Sequence, residues 1–257
     1  MRLNTIRLAF ISCAALLLTF CLKDYPPATA ADAGRVYAAQ SDSRLKSAYR
    51  FERGGWVYVH LEGTPDAIGF QHGYLLAPEI DAAFRAVKLS ATHGTKRDWE
   101  FFRKASREML WPKIDAEYQA ELTGITEGLR ARGMGFDVYD VVALNAFEEL
   151  PYYYVPWLNE REKRAAAPRN VAPGNCSAFV ATGAYTRDGQ IVMAHNAWTS
   201  YLEGEHWRII FDIVPKSGHR IFMDGYPGVI ASDDDFGVNS AGLMITETTI
   251  SQFKGWN

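Results

Sequence analysis

The chain has 257 residues, with 27 Lys and Arg against 30 Asp and Glu, a net charge of −3. That balance excludes a basic surface able to hold nucleic acid by neutralising phosphates. At 48% hydrophobic and 13% aromatic residues, it has the material for a core in one domain or most of one.

In chain order, residues 1–30 have the three parts of a secretory signal. Arg2 and Arg7 form a basic start, Leu8 to Leu22 an apolar run, and Ala28-Thr29-Ala30 a small-residue cleavage site before Ala31. The run is shorter than the ~20 residues that span a bilayer, so a removed signal is expected and not an anchor. Phe20 ahead of Cys21 argues against a lipoprotein. Export is expected, to a periplasm, the extracellular space or a lysosome-like lumen. Cleavage would remove Arg2, Arg7, Lys23 and Asp24 among the charges, leaving 227 residues with 24 basic and 29 acidic side chains, a net of −5.

Residues 31–158 are expected to be a mostly helical front portion. Gly55 to Leu61 has the look of a first strand. Pro65 then opens a helical pattern carrying Ile68, Leu75, Leu76, Ile80 and Phe84. Helices are predicted near Asp98–Leu110 and Pro112–Arg132, the second ending at Gly133 with Arg130 and Arg132 in its last turn. Asp137 is a candidate cap for a further helix to about Glu149. Tyr152, Tyr153 and Tyr154 close this half. Residues 159–175 are polar, contain two prolines, and have Val171 as their only large apolar residue beyond the start of the segment, which suits an exposed linker and a processing region.

From Cys176 the periodicity changes to two. Strands are predicted at 177–183, 190–195, 207–214, 219–224 and 243–250, with turns around Asp188-Gly189, Lys216-Ser-Gly218, Tyr226-Pro-Gly228 and Asn239 to Gly242. Such short links imply antiparallel neighbours. The chain ends soon after a strand with no helical return, so a longer protein is expected.

Of three cysteines, Cys13 and Cys21 lie in the signal, leaving Cys176. A lone thiol in an exported chain is a buried small hydrophobe, an intermolecular bridge or a nucleophile. Its place at the head of a strand, after the linker, suits a chain that cuts itself between Asn175 and Cys176. The α-amine released there has a pKa of ~7.7–8.0, close to the ~8.5 of a thiol, and can take the thiol's proton. His195 and Trp198 end the next strand, which an antiparallel hairpin brings back beside Cys176. His195 can orient or protonate a reacting group and Trp198 can wall an acyl pocket; packing residues at a strand end are the competing reading.

Asn-Cys-Ser-Ala-Phe-Val at 175–180, His-Asn-Ala-Trp at 195–198, Gly-Tyr-Pro-Gly at 225–228, Ser-Asp-Asp-Asp-Phe at 232–236 and Gly-Leu-Met-Ile-Thr-Glu-Thr-Thr-Ile at 242–250 resemble the phospholipase B-like family. Gly-Phe-Gln-His-Gly at 69–73 is the clearest echo in the front half. The resemblance implies an α+β fold, the four-layer αββα sandwich of the N-terminal nucleophile hydrolases, here truncated. It implies Cys176 as nucleophile, with His195, Asn196 and Trp198 lining the site. The substrate would be a lipid ester or an acyl amide, with no cofactor, no metal, no defined protein partner, and peripheral contact with a membrane.

Related acyltransferases and bile-salt amidases carry Arg-Asn-x-Asp where this chain has residues 195–198, which favours the phospholipase B-like branch over an amidase. The family's oxyanion asparagine falls beyond position 257, so a non-enzymatic secreted remnant is the third reading. Asp233, Asp234 and Asp235 suit a solvated turn better than a cation site. No Gly-x-Ser-x-Gly or His-Glu-x-x-His motif occurs.

Overall fold

Val57, Val59 and Leu61 alternate with Tyr58, His60 and Glu62, and the apolar set is buried as strand periodicity requires. The computed structural model describes residues 42–162, 176–232 and 236–248. The fold is mixed α+β. It opens with β1 (Tyr49–Arg53) and β2 (Trp56–Gly63), joined through Gly54 and Gly55 at φ 59° and 86°. Helices α1 (Pro65–Leu75), α2 (Ala77–Thr95), α3 (Trp99–Ala105), α4 (Ala116–Ala131), α5 (Val138–Asn145) and α6 (Val155–Arg161) follow. Strands β3 (Ser177–Gly183) and β4 (Gly189–Asn196), the helical turn α7 (Tyr201–Gly204), and strands β5 (Ile209–Pro215), β6 (Ile221–Gly225), β7 (Phe236–Asn239) and β8 (Met244–Thr246) complete the described part.

Six strands form one sheet in the order β1-β2-β5-β6-β7-β8, while β3 and β4 form a hairpin of their own. The central β2–β5 pair is parallel, from Val57↔Ile209 to Gly63↔Pro215; the other neighbours are antiparallel. The front half therefore contributes two strands to the sheet that the back half builds. All the helices described up to α6 lie in the connection between the parallel strands, which parallel pairing demands. One face of the sheet (Val57, Val59, Leu61, Ile209, Phe211, Ile213 and Met223) shares a single core with Ile68, Leu76, Ile80, Leu129 and Leu144 of the helices. The other face carries Tyr49, Phe51, Tyr58, His60, Ile210, Asp212 and Phe222.

Helices α1 and α4 cross at backbone contact. A Cβ at Gly69 or Gly73 would run into the carbonyl oxygens of Glu121 and Ile125, and Gly124 and Gly128 are equally close to α1 from the other side. Glycine permits this approach because it has no side chain.

The predicted elements divide in instructive ways. The pattern from Pro65 is two helices, broken at Leu76 (φ −109°, ψ 17°), so Ile80 and Phe84 belong to α2. The helix capped by Asp137 starts as expected with a reciprocal capping box, but it ends at Asn145 and not near Glu149. Ala146 leaves the helical region (φ −120°, ψ 30°), and a wide turn over Leu150–Tyr154 leads into α6. Helix α4 ends as predicted, with Gly133 at φ 79°. Strands β1 and β7 and turn α7 were not anticipated by the pattern. Asn159 to Arg161 form the last turn of α6, and residues 163–175 of the expected linker lie outside the described residues. So do the signal segment, Asn175 and Asp233 to Asp235.

Candidate active site

Cys176 is half-buried and sits one residue ahead of β3. The β3–β4 register pairs Ser177 with Asn196 and Ala178 with His195. Paired residues share a face of an antiparallel ladder, and faces alternate along a strand. Cys176 and Ala178 are therefore on the face that carries His195, which lies diagonally across from the thiol, at the ~7–8 Å typical of such neighbours. Asn196 lies on the opposite face with Ser177. Trp198 comes after the end of β4 and is 65% exposed. The hairpin thus brings Cys176 and His195 together, puts Trp198 at the same end, and turns Asn196 away.

Among the described residues, Nε2 of His195 is buried without a hydrogen-bond partner, as is Oγ1 of Thr246. Strand β8, which ends at Thr246, packs against β4. The hairpin carries apolar side chains on both faces, with Phe179 and Val192 on one and Val180 and Ile191 on the other, all of them exposed. No group of three or more His, Cys, Asp or Glu among the described residues is arranged to hold a metal ion.

Two of the sequence motifs meet in a structural lock. His72, from the 69–73 segment, is buried, and its Nε2 accepts a hydrogen bond from the backbone N–H of Gly228 at 2.9 Å. Asn145 closes the same turn, donating to the Gly228 carbonyl at 2.7 Å and accepting from the Ile230 N–H at 2.9 Å. Gln71 ties α1 to both backbone groups of Glu62 and to the Arg44 carbonyl. Burial pushes His72 down to about 3, so it stays neutral and keeps its acceptor lone pair.

A second cluster was not visible in the sequence. Glu203 of α7 is buried, and its carboxylate accepts from Ser200 Oγ at 2.9 Å. It sits in a narrow crevice with Val87, Ser90, Ala91, Phe147, Pro151 and Tyr152. Glu148 lies close enough to interact with it, and burial, together with Glu149, Glu203 and Glu247, pushes the Glu148 carboxyl up to about 7. Burial likewise raises the Tyr152 phenol, which both Glu203 and Glu148 face. Its five titratable residues are scattered from position 148 to 247 with ordinary neighbours, so no local pattern marked them.

A mixed sheet backed by helices, with a cysteine leading a separate two-stranded hairpin, defines an α+β protein with a candidate thiol site. Residues 89–255 match the phospholipase B family. The chain belongs to that family. It is 29% identical over 154 residues to a Caenorhabditis elegans protein named "Putative phospholipase B-like 3", covering 56% of this chain and 25% of that one. It is 28% identical over 214 residues to phospholipase B-like 1 of Bos taurus, covering 73% and 38%. An uncharacterized protein of Archaeoglobus fulgidus is 26% identical over 205 residues, covering 74% and 32%. The chain thus spans between 25% and 38% of the length of these relatives.

Proposed function

We propose that the chain carries the nucleophile of an exported hydrolase that cleaves acyl esters of phospholipids and related lipids. The observation behind the proposal is Cys176 at the head of the β3–β4 hairpin, with His195 on its face, inside the segment that matches the family. Activation begins when the Cys176 thiol adds to the Asn175 carbonyl carbon. The C–N bond breaks, the amine keeps a proton, and water splits the thioester into an Asn175 carboxylate and a free amino-terminal Cys176. In turnover the α-amine takes the thiol proton and sulfur attacks the ester carbonyl. The alcohol leaves protonated, and water releases the fatty acid from the thioester. His195 is the residue placed to hand the proton to the leaving oxygen, and Trp198 to wall the acyl chain. Asn196 faces away from the thiol and serves the hairpin rather than the reacting atoms.

The αββα sandwich is part of the same proposal. An aromatic second sheet face and a hairpin apolar on both sides both suit a further layer. Removal of residues 1–30 on export completes it.

The test is a substrate panel of phospholipids, N-acyl amino acids and peptides, offered to the complete protein. Release of fatty acid from phospholipids supports the reading. Release from amides alone replaces it with an amide hydrolase, and no release from any of them points to a non-enzymatic secreted protein.

A further inference from the structure

A cleft of about 430 Å³ opens between the start of α2 and the segment that leads into β5. Pro78 and Glu79 wall it from the helix, Glu205, His206 and Arg208 from the segment, and Pro227 from the turn that His72 locks. Tyr226, fully buried beside Pro227, stands edge-on to the His206 ring with centroids 6.0 Å apart. The walls are therefore anchored in the core and the cleft is formed before anything enters it.

Two of its charges are left without a match. Glu79 is not one of them, because the buried Arg50 donates to both its oxygens, at 2.8 and 3.1 Å. Burial holds His206 below its ordinary range, with Glu205 opposing the shift and Arg208 adding to it, so the imidazole is neutral near pH 7. The exposed Glu205 carboxylate lies 3.7 Å from that neutral ring and makes no other ion pair among the described residues. Arg208, also exposed, makes none among them. Its backbone is fixed all the same: its carbonyl accepts from Val57 N–H at 2.9 Å and its N–H donates to the His206 carbonyl at 2.9 Å. The 19-residue helix α2 starts without a side-chain cap, which adds its positive end to the same wall as Glu79.

We propose that this cleft binds a small zwitterion, its anionic group on Arg208 and the uncapped start of α2, its ammonium on Glu205. The guanidinium fork suits a carboxylate or a phosphate. A ligand of one sign would satisfy one wall and be repelled by the other. The volume lies within the ~300–1,000 Å³ of small-molecule sites. An amino acid and the phosphoethanolamine head of a lipid share this chemistry. The site does not depend on any reaction at Cys176.

Titration calorimetry of the full chain near pH 7 tests it. Glycerophosphoethanolamine and β-alanine are the zwitterions, with glycerol 3-phosphate and ethanolamine as ligands of one sign. At least one zwitterion should bind at least ~10-fold tighter than either single-sign ligand. Tighter binding of glycerophosphoethanolamine assigns the site to a lipid head group, and tighter binding of β-alanine to a free amino acid; both support it. Arg208→Gln should weaken the zwitterion at least ~10-fold, and Glu205→Gln should bring glycerol 3-phosphate level with it. Both side chains are exposed, so neither change disturbs the core. No binding of either zwitterion, single-sign ligands that bind as tightly, or an Arg208→Gln protein that binds as wild type does would overturn the site. Cys176→Ala should bind as wild type does, so failure of the hydrolase reading and failure of this site give different results.

Discussion

Nε2 of His72 accepts the Gly228 N–H across 156 residues of chain, joining a helix of the front half to a turn of the back half. The bond ties the segment 69–73 to the turn at 225–228. His72→Phe keeps a ring against Phe211, which lies 4.9 Å from the imidazole, but strands a buried N–H. It should cost about 1–3 kcal/mol in denaturant unfolding. A variant as stable as wild type would mean that the turn finds another acceptor.

The α1–α4 crossing makes a sharper stability prediction. Gly73→Ala and Gly128→Ala each place a methyl group against backbone that cannot swing aside. Each should lose about 1–3 kcal/mol or more. Gly135→Ala, where nothing lies within 4 Å of the added carbon, should stay within about 0.5 kcal/mol. Equal effects at the three sites would contradict the close approach.

Stability should peak in mild acid. His72 is neutral in the fold down to about 3, whereas unfolded it takes a proton near 6.5. Its contribution is complete above 6.5 and declines by about 1.4 kcal/mol per pH unit from there to 3. Burial lifts Glu121 and Glu148 to about 7 from 4.5, with Glu117 adding to the first and Glu149, Glu203 and Glu247 to the second. The fold therefore binds their protons more tightly and gains stability as pH falls from about 7 to 4.5. In that window the raised Glu121, Glu148 and Glu149 outweigh the lowered His72 and His206. Below it His72 acts with the depressed Asp42, Asp137 and Asp212, and stability falls. Melting temperature followed across pH should be highest near pH 4.5–5. A continuous rise from pH 4.5 to 8 would contradict these assignments.

Local signals in the sequence were strong wherever one residue decides the outcome. Asp98 and Asp137 cap α3 and α5, Gly133 stops α4, and Asp188-Gly189 turns the β3–β4 hairpin. The hairpin put His195 on the face of Cys176, because antiparallel pairing with so short a turn leaves little freedom. Non-local choices were not legible. The parallel β2–β5 pairing needs partners about 150 residues apart. Short strands such as Phe236–Asn239 lack a periodic pattern. The break at Leu76 has a local cause that the continuous periodicity hid: Pro78 has no N–H for the Tyr74 carbonyl and sits in the first turn of α2, and Arg132 donates to that carbonyl instead.

If His195 acts on the substrate and not on the precursor bond, His195→Ala should lower turnover by about 10²–10⁴-fold, the range for lost general acid–base help. Cleavage ahead of Cys176 should continue in that variant. Loss of cleavage together with turnover would move His195 into the activation step.

The central claim concerns Cys176 as an amino-terminal nucleophile, and mass spectrometry of the intact exported protein, paired with thiol labelling, tests it most directly. The account predicts a new amino terminus at Cys176 in the wild type and none in Cys176→Ala. Alkylation of Cys176 should be slow before the cut and fast after it, with hydrolase activity lost in step with labelling. An uncut chain that hydrolyses lipid at the full rate, or a Cys176→Ala protein that keeps its activity, would contradict it.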